Sequence, residues 1–194
     1  MSIILAAISK KGDIAVCADG RSTDKNKRVV NEHECKIFKI NKRCIIGGTG
    51  TAKKFIKVKD YIKNNFSSDK YNVDQINKAC LNFLEENKSD ESEIHFLVAG
   101  FDEKCEPHLY VISASSTIWY RDYNDINKTI LGDISCNFVP DENEEDINKL
   151  LDYMEKCIAD RTLINFLINK NVRKLHLLKE DAQSIFSLGQ KMPQ

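Results

Sequence analysis

The chain has 194 residues, 42% of them apolar and 30% charged, with 8 glycines and 3 prolines; this excludes disordered, collagen-like and low-complexity classes and suffices for a single domain, residues 1–194, with a large core. Its 29 basic and 29 acidic residues cancel, so no net field recruits nucleic acid or an anionic membrane, and apolar runs such as residues 3–8 fall far short of the roughly 20 residues a membrane-spanning helix needs. The seven cysteines are odd in number and scattered, and Met1 leads straight into an apolar run without a basic segment or small-residue cleavage site, so the expected setting is reduced and cytoplasmic.

In chain order, residues 3–8 form a β-rich run, Lys10-Lys11-Gly12-Asp13 a turn, and Ile14 to Ala18 a second apolar run. Together they predict a hairpin covered on both faces. Arg21 to Glu34 is polar and reads as a loop. Lys36 to Ile40 alternates and reads as a strand, Asn41-Lys42-Arg43 as a turn, and Cys44 to Ile46 as a buried strand ending at Gly47-Gly48. The period then changes, with Phe55, Val58, Ile62 and Phe66 near helical spacing over 51–66. A second helix is expected from an Asp74 N-cap to residue 87, with Ile76, Ala79, Cys80, Phe83 and Leu84 on one face. Ile94 to Phe101 and His108 to Ser113 read as strands joined by a polar turn, and 117–120 and 128–131 as shorter strands. A helical pattern begins at Glu144 and continues through Leu163 and Phe166; Val172 to Leu178 is a late strand. Hairpins, then helices, then strands is an α+β order, not an alternating βαβ chain.

Gly47-Gly48-Thr49-Gly50 stands between a strand and a helix, where backbone N–H groups can cradle a phosphate. It fits neither phosphate fingerprint: Ala52 stands where a P-loop needs its second glycine, and Lys53 where the dinucleotide pattern needs its last. A tight strand-to-helix turn, with no cofactor, is expected. His33-Glu34-Cys35 with Cys44 lacks metal-ligand spacing and the four histidines are dispersed, so no metal is expected. There is no Gly-x-Ser-x-Gly elbow. Three residues remain: Ser2, a hydroxyl directly behind Met1; Asp19, at the end of the second strand; and Lys36, at the head of the third. Singly, each is ordinary, since Asp-Gly makes turns and lysines flank edge strands.

Together these stretches resemble the proteasome β-subunit family, including the bacterial two-component protease ring, within the N-terminal-nucleophile hydrolases. The resemblance rests on residues 3–8, on Gly12 to Arg21, on Lys36 to Ile40 and on Gly47 to Ala52. It continues through Phe96 to Asp102, Pro107 to Tyr110 and Ile130-Leu131-Gly132, and so covers residues 1–135. It implies a four-layer αββα sandwich, with two antiparallel sheets face to face between helical layers. It also implies a cofactor-free hydrolase of peptide or amide bonds, whose first mature residue attacks through its hydroxyl with its own α-amine as base. Carried over, Ser2 is the nucleophile once Met1 is removed, Asp19 and Lys36 form the charged pair beside it, and the Gly48 N–H stabilises the oxyanion. The implied substrates are peptides or unfolded proteins. Self-association into a homo-oligomer is expected through the first two helices, where Phe55, Ile56, Val58, Ile62 and Phe66 make a stripe wider than one sheet contact requires.

The chain departs from the family pattern in three places. Counting back from Gly12 and Asp19 without a gap puts Ile3 in the nucleophile register, so Ser2 reaches it only through a bulge or a one-residue change in the first turn. The family's Ser-Gly after Ile-Gly is Asp133-Ile134 here, and Asp160 is followed by Arg161-Thr162-Leu163-Ile164 without the family's Ser-Gly. The alternative reading is a catalytically inactive scaffold or binding protein, with Asp19 and Lys36 kept as a structural ion pair.

Overall fold

The opening apolar runs pair as the sequence predicts. In the computed structural model β1 (Ile3–Ile8) and β2 (Ile14–Asp19) are antiparallel, Ile4 opposite Ala18 and Ile8 opposite Ile14, in one continuous register. The Ser9 N–H donates to the Asp13 carbonyl at 2.8 Å, closing a three-residue loop, Lys10-Lys11-Gly12. Such loops need a left-handed residue at their third position, and Gly12 supplies it with φ 87°. The polar stretch that follows is not all loop: it contains the small hairpin β3 (Ser22–Thr23) and β4 (Val29–Asn31). The structure describes residues 2–87, 93–115, 118–122, 128–132, 138–163, 165 and 168–189. Met1, Thr117, Asp133, Ile134, Ile164 and Phe166, named above, lie outside them.

β5 (Ile37–Asn41) and β6 (Cys44–Gly50) form the next hairpin. Here the expected turn at Gly47-Gly48 is corrected, because β6 runs on through Gly50, paired with the following sheet strand from Cys44 opposite Gly100 to Gly50 opposite Ile94. The glycines serve packing instead: a Cβ on Gly48 would overlap the Phe55 ring, so the helix can lie close over the strand only if position 48 has no side chain. α1 (Ala52–Phe66) then covers the sheet with Phe55, Val58 and Ile62. α2 (Val73–Glu86) starts one residue after Asn72, not at Asp74. Asn72 Oδ1 accepts the Gln75 N–H and Gln75 Oε1 accepts the Asn72 N–H, each at 3.0 Å, a reciprocal capping box. Asp74 is occupied elsewhere, accepting the Tyr110 hydroxyl at 2.6 Å.

β7 (Ile94–Phe101), β8 (Pro107–Ala114) and β9 (Ile118–Asp122) complete a five-stranded antiparallel sheet in the order β5-β6-β7-β8-β9. β10 (Lys128–Gly132) pairs with β1, and after α3 (Ile147–Thr162) β11 (Val172–Leu177) pairs with β2, giving a second sheet in the order β10-β1-β2-β11. A final helix, α4 (Lys179–Gly189), has no counterpart in the sequence expectation.

Three apolar clusters define the layers. Ile46, Phe96, Val98 and Ile112 pack beneath α1 and α2. Ile4, Ala6, Val16, Ile37, Ile45 and Leu97 fill the space between the sheets. Ile3, Leu5, Ala15 and Cys17 pack against Leu150, Met154 and Ile158 of α3. The result is helix, sheet, sheet, helix, the αββα sandwich and α+β class expected. Each β1 residue from Ile3 to Ala7 is fully buried, because alternate side chains feed opposite apolar layers. Fully burying one of its Ile or Leu side chains contributes about 1.5–3 kcal/mol.

Candidate active site

The second sheet strand ends in an aspartate, and the two layers bring a lysine to it. Asp19 is almost completely buried as the last residue of β2, and Lys36, immediately before β5, reaches it from the other sheet. Lys36 Nζ donates to Asp19 Oδ1 at 2.6 Å and to the Arg21 carbonyl at 2.6 Å. The Ile3 N–H donates to the same Asp19 oxygen at 2.9 Å, and Asp19 Oδ2 accepts the Arg21 N–H at 3.1 Å. An ionised carboxylate accepts at both oxygens and an ammonium only donates, so each acceptor here faces a donor. Burial pulls the Lys36 pKa below its ordinary value, and the charge and hydrogen bond of Asp19 oppose that pull.

The four expected site residues are placed as follows. Asp19 and Lys36 are in contact. Ser2 directly precedes the residue whose N–H is bound to Asp19, is partly exposed, and has no hydrogen-bond partner for its hydroxyl among the described residues. Gly48 is corrected: its N–H donates to the Lys36 carbonyl at 3.0 Å, which ties β6 to β5 and leaves no free proton there for an oxyanion. Asp160 lies in α3, in its last turn.

Sequence reasoning missed the segment after α3. Asn169 is buried; its Oδ1 accepts the Gly20 N–H at 3.0 Å, and its Nδ2 donates to the Glu32 carbonyl at 2.7 Å and to Glu32 Oε2 at 2.5 Å. Arg21 Nε donates to that carboxylate at 3.0 Å. Bonds from Asn169 and then Arg21 hold the Glu32 carboxyl below its ordinary pKa. An open cavity of about 460 Å³ lies here, lined by Arg21, Glu32, Ile168, Asn169 and Lys170. A larger one, about 850 Å³, lies at the opposite end of the β1–β2 hairpin, against Lys11 and Asp13; it is remote from the buried ion pair. The only sequence signal for Asn169 is a polar Asn-Lys-Asn run behind a helix, which ordinarily marks a loop.

Among the described residues no group of three His, Cys, Asp or Glu side chains could hold a metal, and no helix is long and apolar enough to cross a membrane.

Two face-to-face antiparallel sheets between helices, with a buried lysine–aspartate pair at the open end of the first hairpin, define a proteasome-type fold of the N-terminal-nucleophile class. The family description "Proteasome subunit" matches residues 4–152, and the chain belongs to that family. It is similar in structure to eukaryotic HslV from Trypanosoma brucei, with a TM-score of 0.65 over 90% of this chain and 98% of that one. At 16% identity this likeness concerns the fold. Among curated protein sequences none matches the chain.

Proposed function

We propose that this chain is a cytoplasmic peptidase of the N-terminal-nucleophile type, acting on peptides or unfolded protein segments, with Ser2 as nucleophile after removal of Met1. The observation that carries the reading is the Ile3 N–H, the amide of the Ser2–Ile3 bond, on the same Asp19 oxygen that takes Lys36 Nζ. It ties Ser2 covalently to an atom fixed beside the ammonium. Ile3 packs toward α3, whereas Ile4 and Ala6 face the space between the sheets. Strand alternation carried one residue further puts Ser2 on the inter-sheet side, from which Lys36 comes.

In the reaction, Ser2 Oγ bonds to the substrate carbonyl carbon while its proton passes to the free α-amine, which has a pKa near 8 and accepts it at neutral pH. The Lys36 ammonium has two of its three N–H groups bonded among the described residues. The third favours the alkoxide. The protonated amine then delivers its proton to the leaving nitrogen as the C–N bond breaks, and water hydrolyses the ester. The oxyanion donor is an N–H other than that of Gly48.

Intact-mass measurement of untagged protein tests the premise, since a retained Met1 blocks the amine and ends the mechanism. With Met1 removed, Ser2→Ala should abolish peptide hydrolysis. The non-catalytic reading is favoured by the engaged Gly48 N–H and by the bulge-free register of β1 on β2, which keeps Ile3 beside Asp19. It predicts that an electrophile selective for N-terminal hydroxyl nucleophiles leaves Ser2 unlabelled.

A further inference from the structure

Gly20 lies between the two residues that hold the Lys36 ammonium, Asp19 with its carboxylate and Arg21 with its carbonyl. Both backbone groups of Gly20 are tied down. Its carbonyl accepts the Glu34 N–H at 2.6 Å, and its N–H donates to Asn169 Oδ1 at 3.0 Å. The packing is close on every side: a Cβ at Gly20 would come within 2.8 Å of the Glu32 carbonyl oxygen and 2.9 Å of the Asn171 carbonyl oxygen. Asn169 belongs to neither of the segments that meet here, residues 19–21 and 32–36. Its Oδ1 holds the first and its Nδ2 the second, through Glu32. Asn171 adds a further donation to the Glu32 carbonyl at 2.9 Å.

We propose that Asn169 is a positioning residue for Lys36: by clamping Gly20 to Glu32 it fixes the Arg21 carbonyl as the second acceptor of the ammonium. The proposal rests on the reading of Lys36 as part of a working site, but its geometry does not depend on Ser2. The clamp matters because a buried ammonium stays charged only while its acceptors stay aligned. With Asn169 cut back, the Gly20 N–H is left without its partner in a buried setting, and the turn relaxes to find another. The Arg21 carbonyl moves with it. Three charged groups bear on Lys36, namely Asp19, Glu34 and Arg21; the two carboxylates favour the ammonium and the guanidinium opposes it. All three keep their charge in Asn169→Ala, although Arg21 shares Glu32 Oε2 with Asn169.

The test is the titration of Lys36 itself, followed by NMR on lysine-labelled, folded protein without substrate. Asn169→Ala should lower its midpoint by about one to two pH units, the worth of one hydrogen bond to a charged group. Asn169→Asp keeps an acceptor for the Gly20 N–H and should hold the midpoint closer to wild type, even though it faces the Glu32 carboxylate and lowers stability. Lys170→Ala, the adjacent exposed position, should leave the midpoint unchanged. An unchanged midpoint in folded Asn169→Ala, a drop in Asn169→Asp as large as that in Asn169→Ala, or an equal drop in Lys170→Ala, overturns the proposal. If peptide hydrolysis is present, the alkaline limb of its kcat/KM profile should move down with the Lys36 midpoint in Asn169→Ala. Hydrolysis that depends on Ser2, with a Lys36 titration insensitive to residue 169, removes the clamp and leaves the proposed function standing. A shifted titration without any hydrolysis keeps the clamp and removes the peptidase.

Discussion

Lys36 Nζ and Asp19 Oδ1 meet at 2.6 Å across two different sheets, both side chains shielded from water. A pair of this kind gains little over an apolar pair of equal volume, yet is costly to break from one side. Asp19→Asn should therefore destabilise the fold by about 3–5 kcal/mol, since it leaves a buried ammonium without its counter-ion. The double variant Asp19→Asn/Lys36→Met should recover a large part of that loss. Urea unfolding of the four proteins in the cycle measures it; a double variant as unstable as the sum of the single ones rules out the coupling.

The same pair sets a pH dependence. Burial lowers the Lys36 pKa in the folded chain below 10.5, its ordinary value. Between those two values the unfolded chain holds the proton more often than the folded one, so stability attributable to Lys36 rises as pH increases through that window. Below the folded value both states are protonated and the slope vanishes. Wild type measured against Lys36→Met, from neutral pH up to about 10.5, should show a growing relative stability of the wild type. A flat difference would mean that Lys36 is not desolvated.

How much of this was legible in the sequence depends on whether neighbours along the chain or across it set the structure. β1 and β2 were, because runs such as Ile3–Ile8 have one reading at that length, and the αββα layering followed from the order of elements and the family resemblance. The cap of α2 was misplaced by two residues, since Asp74 and Asn72 are both good caps and only the Gln75 reciprocity chooses between them. From the sequence the Gly47–Gly50 segment reads as a turn, because glycine commonly marks one; its β pairing depends on β7, more than forty residues away. Asn169 was invisible for the same reason: its partners Gly20 and Glu32 are 149 and 137 residues distant.

The close approach of α1 to β6 gives a further prediction. Phe55 packs between Phe38 and Phe96, with ring centroids 5.8 and 5.2 Å away, directly over the bare Cα of Gly48. Gly48→Ala should cost about 1–3 kcal/mol by overpacking, and Phe55→Leu introduced beside it should cost less than it does alone. Thermal melts of the three variants decide this. Strict additivity would show that the ring and residue 48 do not share space.

The final prediction is assembly. The family is one of subunits, and a homo-oligomer is proposed here, but the apolar stripe of α1 does not by itself argue for it. Phe55, Val58 and Ile62 are buried in this chain's own core, and Phe66 packs against the same cluster. On that helix Ile56, 43% exposed, is the large hydrophobic residue left outward, among lysines at 53, 57 and 63. A contact through α1 must therefore centre on Ile56 and bury the lysine stems around it, which long side chains permit while their charges stay in water. Light scattering coupled to size-exclusion chromatography at micromolar concentration should return a multiple of 22.2 kDa. Ile56→Asp should reduce it to the single-chain mass. Val29 and Val30 on the β4 hairpin are the competing exposed pair; if Val30→Asp dissociates the particle and Ile56→Asp does not, the interface is at that hairpin. A wild-type mass of one chain would remove the homo-oligomer.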